Sequence, residues 1–278
     1  MHVARRAVSL SIVLALTVAL ALSAGCSSEP ETPVLEPKIA PPVIGKAGVL
    51  RVGVDADYPP FAGKDQGTEA GIDVDIAAAI AERLGLRLEL VPVKPDTVAA
   101  AINDGRVDIA LGATTITDAV LADMSTAGSY LINGPALFSV VESGTPAPEL
   151  DLGGLRGLRV AAQSESAAYW VIESEYGAEY AHTFGTLREA FEALVAGDED
   201  VVAGDAAVGA YIARDFDGVR IVGQIGTAAP LGVVVRKDAV ELEAEVRGVL
   251  DALSSEGVLG TITRKWLGEF PALEVSSE

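Results

Sequence analysis

Few residues in this chain could do chemistry, and that scarcity narrows what the chain can be. It holds one cysteine, Cys26, and His182 is the only histidine beyond the N-terminal segment. Ser–His triads, Cys–His pairs and His/Cys metal clusters therefore lack their parts. No metal, no cofactor and no catalytic residue is expected. What remains are acids, hydroxyls and one aromatic residue beside apolar runs. Asp55 and Tyr58 follow Val49 to Val54, Thr115 and Thr117 follow Val107 to Gly112, and Asp205 follows Val201 to Ala203. Such groups can hold a small polar molecule by hydrogen bonds and charge. Each also has a plainer local role. Asp55 could cap its own turn, Tyr58 could pack the core, and Ser166 and Asp205 could cap helices.

The elements that must position these groups alternate along the chain. Val49 to Val54 reads as a buried strand that breaks into the loop Asp55-Ala56-Asp57-Tyr58-Pro59-Pro60-Phe61. Ile72, Ile76, Ile80 and Leu84 recur every four residues and so share one helix face. Asp73 and Asp75 sit in that helix's first turn, where the dipole favours anions. Leu86 to Val91 and Val107 to Gly112 read as strands, with a short helix from Thr97 to Asn103 between them. Ala136 to Glu142, Leu158 to Ala162 and Val201 to Ala203 continue the strand pattern, interleaved with helices over Ser166 to Tyr176, Leu187 to Ala196 and Ala206 to Phe216. A strand at Leu231 to Val235 and helices over Ala239 to Ser255 and Val258 to Trp266 close the chain. Alternation of this kind predicts mostly parallel sheets covered by helices. Open α/β sheets place ligand groups at strand ends.

The run Gly71-Ile72-Asp73-Val74-Asp75-Ile76, continuing to Ile80-Ala81, resembles the signature of the bacterial extracellular solute-binding proteins of family 3, which serve amino-acid ABC transporters. The resemblance extends over nearly all of Val49 to Leu267. It implies a type II periplasmic-binding-protein-like α/β fold, with two lobes joined by a two-strand hinge and the ligand between them. On that pattern lobe 1 comprises residues 48–134 plus 230–278, and lobe 2 residues 135–229. The resemblance assigns Asp55 to a ligand amine or side chain, Tyr58 to packing over the ligand, and Thr115 and Ser166 to the ligand carboxylate. Thr117 joins that set, and Asp205 takes the ligand ammonium.

The same resemblance exposes departures. Val120 stands where relatives place a carboxylate-gripping arginine, and no arginine occurs from Val107 to Leu155. Lys64 is the nearest basic residue of the first loop. Pro95 replaces a second aromatic wall, and Ser164 and Glu165 alter the turn before Ser166. The acids that would hold an amine are kept and the arginine is not, which fits an amine or cationic ligand.

Arg5 and Arg6, the apolar run Ala7 to Leu22, and Ser23-Ala24-Gly25 before Cys26 predict a lipoprotein signal over residues 1–25 with lipid attached at Cys26. Ser27 to Ala47 carries five prolines, so residues 26–47 are expected to form an extended tether. The chain holds 40 acidic and 20 basic residues, a net charge of −20. That charge disfavours nucleic acid and anionic lipid headgroups. The expected partners are a small-molecule solute, an ABC permease and, through the lipid on Cys26, a membrane, with the protein itself monomeric. Localisation follows as the cell surface or periplasm. Two alternatives share the fold. One is a ligand-sensing receptor module, and the other a carboxylate-dependent dehydratase.

Overall fold

The computed structural model describes residues 36–275. The expected signal segment, Cys26 and the start of the tether lie outside them. The first body is built on a five-stranded sheet in the order β4-β1-β5-β12-β6. Its strands are β1 (Val49–Val54), β4 (Arg87–Pro92), β5 (Ile109–Ala110), β6 (Met124–Asn133) and β12 (Ala229–Arg236). A small hairpin, β2 (Gly63–Asp65) with β3 (Thr68–Ala70), stands apart. The second body carries a sheet in the order β11-β7-β10-β8-β9. It uses β7 (Pro135–Val140), β8 (Val160–Gln163), β9 (Ala181–Phe184), β10 (Val201–Asp205) and β11 (Val219–Gln224). In each sheet one strand runs against its neighbours: β12 in the first, β7 in the second. Each is the strand by which the chain arrives from the other body.

The first helix, α1 (Ile72–Arg83), buries Ile72, Ile76 and Ile80, with Leu84 buried just beyond. Its entry needs glycine. Gly71 has φ 151°, and a Cβ there would lie 2.1 Å from the Phe61 carbonyl oxygen. The loop before it is fastened to the helix start by Ile72 N–H to Pro60 C=O and Asp73 N–H to Phe61 C=O, both 2.9 Å. The remaining first-body helices are α2 (Val98–Asn103) and α3 (Asp118–Asp123). The second body contributes α4 (Ala167–Tyr176), α5 (Leu187–Ala196) and α6 (Ala206–Ala213), and the chain closes with α7 (Val240–Ser255) and α8 (Val258–Leu267).

The same fork braces both sheets at the ends opposite the loops discussed below. Arg51 grips Asp108 through Nη2 (2.7 Å) and Nε (3.2 Å), and its Nη1 donates to the carbonyls of Gly105 and Arg106. Arg159 grips Asp200 in the same way, at 2.6 and 3.1 Å, with Nη1 on Gly197 and Asp198. This fork and the Arg159 N–H, which donates to Asp200 Oδ2 at 2.9 Å, hold the Asp200 carboxyl down at about 2.

Two crossings join the bodies, at Gly134 between β6 and β7 and at residues 225–228 between β11 and β12. They touch each other: a side chain at Gly134 would come within 2.7 Å of Ala228 Cα. The C-terminal stretch departs from expectation. Residues 268–275 leave α8 and run onto the second body, where Phe270 and Leu273 pack against its core. The Gln224 side chain pairs with both backbone groups of Glu274 at 2.8 Å. The tether expectation also needs correction at its end. Ile39 and Ile44 are buried in the first core, and Gly45 N–H donates to Asp108 at 2.8 Å. Two isoleucines among the prolines suffice to dock this stretch, so any free tether ends before Glu36.

Candidate functional site

The loops at the carboxyl ends of β1, β5, β8 and β10 meet at a cleft of about 430 Å³ between the two sheets. Larger hollows, of about 750 and 840 Å³, lie along the C-terminal stretch, away from these strand ends. Tyr58, Thr115, Ser166 and Asp205 all line the cleft, together with Asn133, Gln163 and Thr227. The first two come from the first body and the next two from the second. Asp55 and Thr117 are not among its walls.

Each wall residue is placed by a specific contact. Tyr58 stacks on the buried Phe61 ring, 5.3 Å between centroids, so the diproline loop turns one aromatic residue inward and leaves the other at the cleft. Thr115 belongs to a loop pinned on β12 by Ile116 N–H to Pro230 C=O (2.8 Å) and Gly232 N–H to Thr114 C=O (3.0 Å). The same loop is pinned from α1. Asp73 Oδ2 accepts the Ala113 N–H at 3.0 Å, and Ala113 adopts φ +50°. Ser166 caps α4, its Oγ accepting the Tyr169 N–H at 3.1 Å. Ala167 and Ala168 follow it into the cleft wall, so the unsatisfied N–H groups of that first turn open there.

Asp205 caps α6 by accepting the Val208 N–H at 2.8 Å through Oδ1. Its Oδ2 accepts from Asn133 Nδ2 at 2.7 Å, and Asn133 Oδ1 in turn accepts the Ala207 N–H at 3.0 Å. Capping and cleft exposure thus coexist at this residue. Burial raises the pKa of Asp205, and Val208 N–H, Asn133 Nδ2 and the nearby Ala207 N–H pull the other way. Among the described residues, Asp205 is the only charged one lining the cleft. Its field is felt across the cleft: burial, then Asp205, Asp55 and Asp73, push the Tyr58 phenol up to about 12. The site therefore has two poles. A carboxylate from the second sheet faces a cation, and the start of α4 with its hydroxyl offers donors to an anion.

Two of the expected binding residues stand outside the cleft wall. Asp55 Oδ1 accepts from Lys94 Nζ at 2.9 Å, beside Tyr58 rather than in the cavity wall. Thr117 caps α3, its Oγ1 accepting the Val120 N–H at 3.3 Å. Val120 packs against the core around Val93, Val98 and Met124. Tyr169 and Trp170 also stay out of the cleft wall; Tyr169 packs on the second core and Trp170 is exposed. Asn133 and Lys94 escaped sequence reasoning. Lys94 had a signal, since it stands two residues past a strand end, much as Asp55 stands just past β1. Asn133 had none, because its partner lies 72 residues away.

Residues 50–269 match the model of the bacterial extracellular solute-binding proteins, family 3, and the chain belongs to that family. The L-cystine-binding protein TcyJ of Escherichia coli (strain K12) is 25% identical over 229 residues, covering 81% of this chain and 85% of its own. The L-arginine-binding protein of Pseudomonas aeruginosa is 30% identical over 227 residues, covering 78% and 87%. Among solved structures, the ancestral cationic amino acid solute binding protein AncCDT-1 superposes with a TM-score of 0.69 at 30% identity, covering 79% of this chain and 96% of that one. The expected two-lobed type II α/β fold is thereby borne out, and the chain is a solute-binding protein of an extracellular class. Among the described residues no helix is long and apolar enough to cross a membrane.

Proposed function

We propose that this chain is the extracytoplasmic substrate-binding lipoprotein of an ABC importer, held to the membrane by lipid on Cys26. In this reading it captures an amino acid or related amine. The observation that carries the reading is the two-poled cleft. A site with one carboxylate and one helix N-terminus, both from the second body and faced by Tyr58 and Thr115 from the first, suits a zwitterionic head group. Asp205 takes the ammonium. Ser166 and the amides of Ala167 and Ala168 take the carboxylate, with Thr115 approaching from the first sheet. Tyr58 covers the apolar part of the solute. Among the described residues no wall residue is basic, so in this reading the carboxylate is held by neutral donors alone. Hydrogen bonds to a charged group are worth about 1.5–3 kcal/mol each, so three or four of them can replace one bidentate arginine. Closure of the lobes would bury the solute and create the surface a permease recognises. The names of the relatives, which bind L-cystine and L-arginine, support the amino-acid class.

A thermal-shift screen of amino acids, polyamines and betaines tests this. A ligand at 100 times its dissociation constant adds about 2.7 kcal/mol. For a chain of this size that raises Tm by roughly 5–10 °C. At least one amino acid is expected to give that shift. A screen in which only polyamines shift Tm would remove the zwitterion reading, and one in which betaines do and no amino acid does would remove the amino-acid class.

A further inference from the structure

The cleft neighbourhood contains two acids that could meet a positive charge, and they are not equally free. Asp205 opens into the cavity with only neutral donors on it. Asp55 lies beside Tyr58 and contributes to the field on its phenol, yet its carboxylate already has a cation. Lys94, at the end of β4, reaches across to the end of β1. Its ammonium lies 2.9 Å from Asp55 Oδ1 and 2.8 Å from Asp57 Oδ2. The Asp55 side chain is 13% exposed, against 82% for Asp57 and 58% for Lys94. Lys94 therefore caps a mostly enclosed carboxylate from the solvent side. The two acids hold the ammonium charged, pushing its pKa up to about 12.

We propose that Lys94 sets specificity: as a built-in counter-ion it closes the Asp55 carboxylate to the solute, so the protein takes amino acids with uncharged side chains and disfavours arginine and lysine. This rests on the amino-acid reading above and narrows it. The reasoning is a count of charges near the cleft, from which Asp57 is left out because its side chain is 82% exposed and its charge is screened by water. A cationic amino acid carries two positive groups and one negative group. Asp205 accounts for one cation. The other would need Asp55, which Lys94 occupies, and would also approach the Lys94 ammonium itself. Like charges brought together near a low-dielectric wall repel. An uncharged side chain meets neither problem. The pair excludes by repulsion and by occupancy at once.

The test titrates the wild type, Lys94→Met and Lys94→Arg calorimetrically with the twenty common amino acids, plus citrulline as the neutral isostere of arginine. Circular dichroism confirms that the variants are folded, as expected for an exposed side chain. In the wild type at least one uncharged amino acid should bind ten times or more tighter than arginine and lysine. Lys94→Met should gain tenfold or more on those two cations relative to the uncharged set, and Lys94→Arg should keep the original preference. If the wild type prefers arginine or lysine, or if Lys94→Met gains nothing on them, the role given to Lys94 is wrong while amino-acid binding stands. If no amino acid binds wild type or variants, both readings fall together.

Discussion

Replacing Asp205 with asparagine is expected to weaken solute binding about a hundredfold to a thousandfold while leaving the fold in place. The two effects separate because Asp205 does two jobs with different requirements. Its Oδ1 caps α6 by accepting the Val208 N–H, and asparagine is as good an N-cap as aspartate; the one local cost is an NH2 in place of the Oδ2 that accepts from Asn133 Nδ2. Its charge is the only one on the cleft wall, and asparagine removes it. Breaking one side of a buried, hydrogen-bonded ion pair costs about 3–5 kcal/mol; the lower part of that range, fitting a cleft still open to water, is about two to three orders of magnitude in affinity. The measurement is a titration with whichever amino acid stabilises the wild type most, beside a melting curve of the free variant. Affinity within threefold of wild type would place the solute's ammonium somewhere other than Asp205. Asp205→Ala is the harsher comparison. It should lose the same affinity and also destabilise the free protein by ~1 kcal/mol through the missing cap.

The parts of this architecture that were legible in the sequence are those whose cause is local. The period of Ile72, Ile76 and Ile80 needs nothing beyond its own helix to be seen, and α1 buries that face. Leu187–Ala196 is equally plain, because Thr186 and Glu189 form a reciprocal capping box and Gly197 ends the helix in the left-handed region. Short elements whose stability is borrowed were not visible. Asp118–Asp123 has no buried residue of its own. It stands because Thr117 caps it and β6 follows at once. Strands β9 and β11 each run along the edge of the second sheet, where alternating exposure dilutes the apolar signal. The turn of the C-terminal stretch onto the second body depends on Gln224, 50 residues upstream of its partner. No windowed reading can find such a pairing.

The site divides along the same line. Tyr58, Thr115, Ser166 and Asp205 could be named because each stands next to a strand or helix end, and the structure brings those four to one cavity. Asp55 stands in an equivalent place in the sequence, but a side chain from the neighbouring strand decides what it does. Charge bookkeeping by segment, which pointed to Lys64, misses this. Lys64 lies on the exposed hairpin, while Lys94 stands just past the end of the strand paired with β1. Asn133 shows the limit most clearly. It sits at the first crossing between the lobes, and its amide joins the end of β6 to Asp205 and to the start of α6. It therefore couples the hinge to the acidic pole of the cleft.

Asp73 connects the α1 signature to the cleft and makes stability depend on pH in an unusual direction. The residue is fully buried, with Oδ2 on the Ala113 N–H and no hydrogen-bond partner in good geometry for Oδ1. The Tyr130 hydroxyl, likewise buried without a well-formed hydrogen bond, is close enough for the two groups to influence each other. Burial raises the Asp73 pKa to about 6, against pulls from Tyr130 and the backbone of Ala113 and Gly112. The Tyr130 phenol is pushed well above its ordinary value by burial and by the Asp73 charge. The folded protein thus holds a proton on Asp73 that the unfolded chain, with a value of 3.8, releases earlier. This group's contribution is fully present below about pH 4 and is lost as pH rises through about 6. The loss amounts to ~3 kcal/mol by pH 7, at 1.36 kcal/mol per unit. Other carboxylates, Asp200 among them, work in the opposite direction, so the wild-type curve alone will not isolate it. The difference between wild type and Asp73→Asn will, because everything else cancels. Asparagine keeps an acceptor for Ala113 and gains a donor for Tyr130 without any charge. Urea unfolding at intervals from pH 4 to 8 should show the variant gaining on the wild type by ~3 kcal/mol across that range. A flat difference would mean that Asp73 is as acidic folded as unfolded. Because Ala113 belongs to the loop that carries Thr115, the proton on Asp73 also bears on the cleft. A wild-type affinity that changes between pH 5 and 7 while that of Asp73→Asn stays level would tie the two together.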